Sequence, residues 1–315
     1  MKALITGVAG FIGSHLGEAL VGRGARVVGI DCFTDYYARE IKEANLAQLA
    51  RSSEFAFVEA ALQDAPLPRL LDDVTHVFHL AAQAGVRKSW GRDFHIYTIN
   101  NIEATQALLE ACVGRPIERL VYASSSSVYG DATPIPMRED AVLHPLSPYG
   151  VTKLAAEHLC HLYAANHAVP ATSVRYFTVY GPRQRPDMAF YRFIRSALRG
   201  EPIPVFGDGE QTRDFTYVAD AVAATLAASE RGHVGRAYNV GGGSRVSINE
   251  VLEIVGRVTG CALRIERGPE QKGDMRDTYA DTSLARAELG FAPTVSLADG
   301  LAHEARWLAS TLVTA

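Results

Sequence analysis

A tyrosine and a lysine four residues apart are the pair in this sequence best suited to acid–base chemistry. If the segment Tyr149-Gly150-Val151-Thr152-Lys153 is helical, both side chains lie on one face. Free tyrosine is a weak base near neutral pH because its pKa is about 10, but a nearby ammonium stabilises the phenolate and lowers that pKa. Tyr149 could then remove a proton from a hydroxyl group while hydride leaves the same carbon. Such pairs also occur on ordinary helix surfaces.

A run of serines supplies a second polar group for this reaction. Ser124-Ser125-Ser126-Ser127 follows an apolar segment that predicts a buried strand, and doubly wound sheets bind ligands at the carboxyl ends of their strands. A serine hydroxyl there can hydrogen-bond the reacting oxygen. A serine-rich turn is the alternative, but the combination with Tyr149 and Lys153 favours catalysis.

Three glycines near the N-terminus indicate where a cofactor would bind. Gly7, Gly10 and Gly13 have the spacing G-x-x-G-x-x-G, with Phe11 and Ile12 before the last, between a predicted strand and a predicted helix. The missing side chains let the backbone approach a pyrophosphate, whose charge the helix N-terminus stabilises. A tight turn without a ligand is the alternative.

An acid stands at the end of the next predicted strand. Asp31 follows Gly13 by eighteen residues, where a carboxylate can accept hydrogen bonds from the adenosine ribose and repel a 2′-phosphate. No arginine comes directly after it. The sequence therefore predicts NAD rather than NADP. Lys153 would then bond the nicotinamide ribose, and the positive nicotinamide ring would help to stabilise the Tyr149 phenolate.

The elements that must position these residues alternate between strands and helices. Apolar runs predict buried parallel strands at Lys2–Thr6, Arg26–Ile30, Phe55–Val58, His76–Leu80, Arg119–Ala123 and Ala171–Tyr176. Helical patterns lie between them at Phe11–Val21, Tyr37–Ala50, Ile99–Val113 and Pro148–His167. This alternation predicts an α/β fold, a Rossmann-type doubly wound parallel sheet with helices on both faces.

After about residue 180 this rhythm breaks. The chain is punctuated by Gly181-Pro182, Arg185-Pro186, Glu201-Pro202 and Ile203-Pro204, which is typical of loops around a ligand cleft. Mixed helix and strand signals resume at Val218–Ser229, Ala237–Val240, Ser247–Val258 and Leu297–Leu308. We predict an NAD-binding domain over residues 1–180 and a smaller α/β substrate domain over 181–315, with some segments returning to the first.

Composition and charge exclude several classes of protein. The net charge of -4 is too small for a nucleic-acid-binding surface, and no apolar run of eighteen residues predicts a membrane span. The N-terminus lacks the pattern of a secretion signal. The four cysteines lie far apart and predict reduced thiols in a cytoplasmic protein. Neither they nor His15, His79 and His95 have metal-ligand spacing, so no metal site is expected.

Together, the motifs resemble the extended short-chain dehydrogenase/reductase family, in its branch of nucleotide-sugar epimerases and dehydratases. Besides the residues above, the similarity includes His79-Leu80-Ala81-Ala82, Asn100-Asn101-Ile102-Glu103-Ala104-Thr105, Ser147-Pro148-Tyr149-Gly150, Arg175-Tyr176-Phe177-Thr178-Val179-Tyr180-Gly181-Pro182, Arg213-Asp214-Phe215 and Tyr238-Asn239-Val240-Gly241. The resemblance implies a tightly held NAD, a C-terminal substrate domain and a homodimer.

The resemblance also implies further contacts with the cofactor. These would come from Leu80, Ala81 and Ala82 beneath it, Asn100 on the following helix and Tyr176 near the nicotinamide. Ser125 occupies the family's catalytic serine or threonine position. After the third strand the sequence departs from many relatives, because Ala60-Ala61-Leu62 lacks the acid that bonds the adenine. Either Asp64 compensates, or the adenine is held less specifically.

The residues after Ser125 help to choose among the family's reactions. Related 4,6-dehydratases carry Asp-Glu there to eliminate water, whereas this sequence has Ser126 and Ser127. Decarboxylating relatives commonly have a glutamate at the position of Ser127. Epimerisation therefore remains. Tyr149 would remove the proton of the sugar 4-hydroxyl as hydride passes to NAD+, the 4-keto sugar would turn over, and hydride would return to its other face.

Residues 178–189 look most like those of UDP-glucuronate 4-epimerases, whereas hexose epimerases usually have asparagine at the position of Thr178. The Thr178 hydroxyl and the Arg185 guanidinium could hold a carboxylate, to which arginine's fork is suited. Firm holding would also suppress the loss of carbon dioxide, because a 4-keto uronic acid is a β-keto acid. Alternatively, Arg183 and Arg185 form surface ion pairs or bind the pyrophosphate.

Other residues are candidates for binding the nucleotide. Arg213 and Arg276 resemble residues that contact its phosphates or ribose, although each could simply pair with the acid that follows it. Arg87, just beyond the cofactor strand, could also reach the substrate. Val205 is a candidate for the uracil pocket, or a core residue.

The leading hypothesis is conversion of UDP-glucuronate to UDP-galacturonate. One alternative is a UDP-glucose or UDP-N-acetylhexosamine 4-epimerase, in which Arg185 serves the phosphates. Another is a UDP-glucuronate decarboxylase. A non-catalytic NAD-binding scaffold is disfavoured, because a binding protein needs no base of the kind formed by Ser125, Tyr149 and Lys153.

Overall fold

The computed structural model describes residues 1–131, 133–269 and 275–314. Its β-strands are Lys2–Thr6 (β1), Arg26–Asp31 (β2), Phe55–Glu59 (β3), His76–His79 (β4), Arg119–Ser125 (β5), Ala171–Tyr176 (β6), Val179–Tyr180 (β7), Pro202–Phe206 (β8), Thr212–Asp214 (β9), Thr216–Tyr217 (β10), Ala237–Val240 (β11), Arg245–Ser247 (β12) and Arg264–Gly268 (β13).

Seven of these strands form one parallel sheet in the order β11-β6-β5-β4-β1-β2-β3. All the strands predicted from apolar runs in the first half of the chain belong to it, and β1 and β6 have the predicted bounds. The strand order reverses between β1 and β4, so a crevice opens at their carboxyl ends. The predicted Rossmann-type fold is confirmed.

The α-helices of the described residues are Phe11–Gly22 (α1), Arg39–Leu46 (α2), Leu67–Leu70 (α3), Phe94–Tyr97 (α4), Ala104–Cys112 (α5), Pro148–His167 (α6), Ala189–Arg199 (α7), Val218–Arg231 (α8), Ile248–Thr259 (α9) and Leu297–Thr314 (α10). α6 has the predicted bounds, and it carries the tyrosine–lysine pair.

Two predicted helices differ from the structure. The segment Ile99–Val113 begins inside a π-helical turn at Thr98–Glu103, which joins α4 to α5 and buries Asn101. Such wide turns cannot be read from a period of 3.6 residues. The segment Tyr37–Ala50 forms α2 and a separate 3₁₀ turn at Leu49–Arg51, because Leu49 packs inward against α1.

Two apolar cores flank the sheet. One contains α1 and α8, and the other contains α5 and α6. α7, α9 and α10 enclose a third core. β11 and α8 come from the second half of the chain but join the first sheet and its core. The division between residues 180 and 181 stays a prediction. Across the described ranges, no helix is long and apolar enough to cross a membrane.

Candidate active site

A cleft opens where the strand order reverses, between the carboxyl ends of β1 and β4. Its lining includes every residue that the sequence assigns to the cofactor: Gly7, Gly10, Phe11, Ile12, Gly13, Asp31, Leu80, Ala81, Ala82, Asn100, Tyr149, Lys153 and Tyr176. We call it the cofactor cleft.

The turn after β1 leaves no room for side chains on its glycines. A β-carbon on Gly7, whose φ is +72°, would lie 2.7 Å from the Ala81 amide nitrogen, and one on Gly13 would overlap the Gly7 carbonyl. α1 begins here without a side-chain cap or an acid in its first turn. Its first amide groups therefore remain available to an anion. This cradle fits the pyrophosphate of NAD.

The carboxylate of Asp31 is oriented by the backbone at the end of β2. It accepts hydrogen bonds from the amides of Ala9, at 3.1 Å, and Phe33, at 2.9 Å, one on each oxygen. Burial raises the pKa of Asp31, whereas these bonds and the charge of Lys42 lower it. Lys42 also lines the cleft, which the sequence analysis missed, and its ammonium donates to the Thr34 carbonyl at 2.6 Å. Asp31 keeps lone pairs for ribose hydroxyls.

A buried chain of hydrogen bonds fixes the backbone that follows β4. The Ala81 amide donates to Thr6 Oγ1 at 3.0 Å, and that hydroxyl donates to His79 Nδ1 at 2.7 Å. His79 Nε2 donates to Thr105 Oγ1 at 2.9 Å, because the Thr105 hydroxyl itself donates to the Asn101 carbonyl. Burial lowers the pKa of His79 to about 3, so the ring is neutral. The histidine therefore orients the floor of the cleft.

The π-helical turn brings Asn101, which the sequence analysis missed, between two parts of the site. Its Oδ1 accepts the Gln83 amide at 2.7 Å, and its Nδ2 donates to Thr152 Oγ1 at 2.9 Å. The Thr152 hydroxyl donates to the Tyr149 carbonyl at 2.8 Å. Asn101 thus connects the segment after β4 to the helix that carries the tyrosine. Asn100 lines the cleft, while its side chain hydrogen-bonds its own helix.

α6 presents Tyr149 and Lys153 on one face. Ser147 caps the helix, its Oγ accepting the Gly150 amide at 3.1 Å. Both reactive side chains line the cofactor cleft. Lys153 is 3% exposed, and its ammonium lies 4.5 Å from the centre of the Tyr122 ring. The predicted pair therefore lines one cleft, with the lysine buried and the tyrosine partly exposed.

Burial and charge set the acid–base properties of this pair. Burial raises the pKa of the Tyr149 phenol, whereas the charge of Arg185 and a contact with the Ser125 hydroxyl lower it. Burial lowers the pKa of Lys153 to about 7, and neighbouring acidic groups partly offset this. Arg185 therefore acts on the tyrosine, a role that the sequence did not suggest.

Glu157, one turn beyond Lys153, anchors the end of β5 to α6. It accepts hydrogen bonds from the Ser124 hydroxyl at 2.5 Å and from the Arg175 guanidinium at 2.6 Å. Arg175 also donates to the Tyr129 hydroxyl at 2.8 Å. All of these groups are buried. The serine run is thereby fixed relative to the helix that carries the base.

A larger cleft of about 710 Å³ adjoins the cofactor cleft. It is lined by the predicted substrate residues Ser125, Ser126, Ser127, Arg87, Thr178, Arg185, Val205 and Arg213. We call it the substrate cleft. Tyr149, Tyr176 and Arg185 line both clefts. Tyr176 is buried, and its hydroxyl is hydrogen-bonded to Thr225 Oγ1 at 2.5 Å.

Arginine side chains make the substrate cleft positive. The Arg87 guanidinium lies 4.6 Å from the centre of the Phe206 ring, and Arg213 donates to the Thr212 carbonyl at 2.9 Å. Arg192 on α7 also lines the cleft, and burial and the charge of Arg87 lower its pKa. The sequence analysis missed Arg192 because nothing distinguishes it from other charged residues of an amphipathic helix. Clustered guanidinium groups suit a diphosphate.

Arg185 and Arg183 both form ion pairs. Arg185 binds Asp187 with two hydrogen bonds, at 2.9 and 3.0 Å. Tyr36, from the loop after β2, donates to the same carboxylate at 3.3 Å. Arg183 pairs with Glu18 at 2.7 Å. Both arginines are thus paired with acids in mostly buried positions, and Arg185 also lines the substrate cleft; whether either binds the substrate stays a prediction.

Three other candidates lie outside the two clefts or are buried in the core beside them. Arg276 lines neither cleft, because its half-exposed guanidinium pairs with Asp208 at 2.9 Å, and its role stays a prediction. Val205 lines the substrate cleft although it is 1% exposed and belongs to the third core. Asp64 does not line the cofactor cleft, whereas Gln63 does.

A family model described as the NAD dependent epimerase/dehydratase family matches residues 3–241. The chain belongs to this family. The predicted family, fold and NAD dependence are therefore confirmed.

Three relatives of similar length show the range of this similarity. A Bacillus subtilis (strain 168) protein named as an uncharacterized UDP-glucose epimerase, YtcB, is 45% identical over 312 residues, 98% of each chain. A UDP-glucuronate 4-epimerase of Thermodesulfobacterium geofontis is 39% identical and covers 96% of this chain and 95% of its own. The crystal structure of UDP-glucuronic acid 4-epimerase from Bacillus cereus, in complex with UDP-glucuronic acid and NAD, is 44% identical, with a TM-score of 0.96 and coverage of 99% and 100%.

Replacing Asp31 with asparagine should weaken NAD binding and reduce the preference for NAD over NADP. We expect affinity for NAD to fall about 10- to 100-fold, because hydrogen bonds to a charged acceptor are lost while the side chain keeps its shape. Isothermal titration calorimetry on nucleotide-depleted protein measures both cofactors. Asp35→Asn, at an exposed acid of the following loop, is the matched control. Wild-type affinity in Asp31→Asn would refute the ribose contact.

Proposed function

We propose that this protein is an NAD-dependent 4-epimerase that converts UDP-glucuronate to UDP-galacturonate through a transient 4-keto sugar. The observation that carries the proposal is that Tyr149 and Arg185 line both clefts. A base and a cation for a carboxylate thus meet between the cofactor and the sugar. The relatives named as UDP-glucuronate 4-epimerases support this substrate.

Three side chains act in the oxidation of the sugar 4-hydroxyl, each in a different way. Tyr149 accepts the proton of the sugar 4-hydroxyl, and Ser125 hydrogen-bonds the same oxygen. Lys153 holds the nicotinamide ribose and stabilises the phenolate by its charge. When bound, NAD supplies the hydride acceptor at the nicotinamide ring. The charge of Arg185 counteracts the burial that raises the pKa of Tyr149.

The second half of the reaction reverses the first on the other face of the sugar. The 4-keto sugar turns over in the substrate cleft, hydride returns to its opposite face, and Tyr149 returns the proton to the oxygen. No net oxidation occurs, so the enzyme needs no second substrate. Ser126 and Ser127 offer no acid–base pair at the positions where related dehydratases carry one, which disfavours elimination of water.

The sugar carboxylate is held by Arg185 and Thr178. A guanidinium binds a carboxylate with two parallel hydrogen bonds, which fix its orientation. This orientation matters after oxidation at carbon 4, because the β-keto acid then loses carbon dioxide readily. A fixed carboxylate therefore keeps the 4-keto intermediate from losing carbon dioxide before hydride returns to carbon 4.

The nucleotide is held by the positive lining of the substrate cleft. Arg87, Arg192 and Arg213 supply cations for the diphosphate, and the effect of Arg87 on the pKa of Arg192 reflects a local excess of positive charge. Val205 contributes to the uracil pocket. Arg276 reaches the nucleotide only if it leaves Asp208.

A UDP-glucose 4-epimerase is the second candidate. The Bacillus subtilis relative carries that name. In addition, Arg185 is already paired with Asp187, so the cleft offers a hydroxymethyl group a neutral ion pair rather than an uncompensated cation. The catalytic residues would be the same in both reactions.

We also propose that the protein is a cytoplasmic homodimer. Apolar side chains on neighbouring parts of α4, the π-helical turn and α6 are at least 36% exposed, namely Phe94, Ile99, Val151 and Leu162. Such a face suits an isologous contact with a second copy of the chain. All four cysteines are free thiols, which fits a reducing compartment.

Incubation of the purified protein with UDP-glucuronate and, separately, with UDP-glucose tests the proposed reaction. We expect UDP-glucuronate to give a new chromatographic peak of unchanged mass that co-elutes with UDP-galacturonate. The uronic acid should react faster, because only its carboxylate engages Arg185. Conversion of UDP-glucose alone would favour the second candidate, and a product lighter by carbon dioxide would indicate a decarboxylase.

Replacing Tyr149 with phenylalanine should remove the base and leave the cofactor in place. We expect NAD affinity within about twofold of wild type and a loss of kcat of about 10²- to 10⁴-fold, which is the usual contribution of a general base. Tyr163→Phe, farther along the same helix, is the control for the loss of a phenol. Substantial turnover by Tyr149→Phe would show that another group removes the proton.

A further inference from the structure

The ion pair between Arg185 and Asp187 lies within the lining of the substrate cleft. The side chains are 21% and 33% exposed, respectively. The pairing is bidentate, with Nε donating to Oδ1 at 2.9 Å and Nη2 donating to Oδ2 at 3.0 Å. Asp187 therefore already occupies two of the donors that a substrate carboxylate would use.

The carboxylate of Asp187 is held in this position from the other half of the chain. The Tyr36 hydroxyl donates to Oδ2 at 3.3 Å, and the Tyr36 ring lies 5.9 Å from the guanidinium carbon of Arg185. The Lys88 ammonium lies 5.0 Å from the centre of the same ring. With three polar contacts in all, Asp187 does not turn away from Arg185 without losing hydrogen bonds.

The charges make Asp187 a competitor of one substrate and not of the other. A uronic acid that binds Arg185 brings a second carboxylate within a few ångströms of Asp187, and like charges at that distance repel each other. A neutral hexose presents a hydroxymethyl group, which meets an ion pair without net charge. The acid therefore weakens the binding of the uronic acid alone.

We propose that Asp187 is a specificity-determining residue, which occupies part of the Arg185 guanidinium and lowers the preference of the cleft for a uronic acid over a neutral hexose. This inference rests on the proposed function, in which Arg185 binds the sugar carboxylate. Under this inference, the same cleft serves both UDP-glucuronate and UDP-glucose.

The test is a comparison of kcat/KM for UDP-glucuronate with kcat/KM for UDP-glucose. Asp187→Asn removes the charge but keeps the shape, and we expect the uronate-to-hexose ratio to rise about tenfold, mainly through a lower KM for the uronic acid. Arg185→Ala should lower the ratio. The ratio cancels any equal loss that both substrates suffer through the effect of Arg185 on Tyr149.

Two further variants keep the test decisive. Asp35→Asn makes the same change in net charge outside the cleft and should leave the ratio unchanged. Asp187→Ser replaces Asp187→Asn if melting curves show that the asparagine variant is unfolded.

The outcomes separate this inference from the proposed function. A ratio that is unchanged or lower in a folded Asp187 variant, while Arg185→Ala lowers it, would overturn the role of Asp187 and leave the epimerase standing. A ratio that is unchanged in Arg185→Ala would refute the carboxylate contact itself, and the inference with it.

Discussion

The burial of one positive charge, on Lys153, is the constraint on which the rest of the site depends. Lys153 is 3% exposed, its ammonium lies 4.5 Å from the centre of the Tyr122 ring, and burial lowers the pKa of Lys153 to about 7. An isolated buried charge is costly, and neighbouring acidic groups offset only part of that cost here. Glu157, on the next turn of the same helix, supplies the opposite charge without taking the lysine as its hydrogen-bond partner. It binds Ser124 and Arg175 instead.

This arrangement links the acid–base pair to the sheet in two independent ways. Glu157 and Arg175 tie α6 to the ends of β5 and β6, while Asn101 and Thr152 tie it to the segment after β4. The tyrosine is therefore positioned by buried polar groups on both sides rather than by its helix alone. If one partner of a buried hydrogen bond is removed, the other is left unsatisfied. The protein then loses more folding free energy than the hydrogen bond itself contributes.

The parts of the fold that depend on local patterns were predictable from the sequence. α6 has the predicted bounds because Ser147 and Pro148 mark its start, and the strands are apolar because helices cover both faces of a parallel sheet. The π-helical turn, the Asn101 bridge and the pairing of Tyr36 with Asp187 were not predictable. Tyr36 and Asp187 are 151 residues apart, and only the folded topology brings them together. Arg192 likewise can be recognised as a candidate binding residue only from the folded structure, because only there does it line the substrate cleft.

The central claim is that hydride leaves carbon 4 of the sugar and returns to the same carbon within one active site. Turnover of UDP-glucuronate labelled with deuterium at carbon 4 tests it most directly, followed by mass spectrometry and NMR of the product. We expect UDP-galacturonate that retains the deuterium at carbon 4, and no deuterium incorporation there when unlabelled substrate reacts in D₂O. Loss of the label to solvent would contradict the 4-keto mechanism, because it would mean that carbon 4 exchanges a proton rather than a hydride.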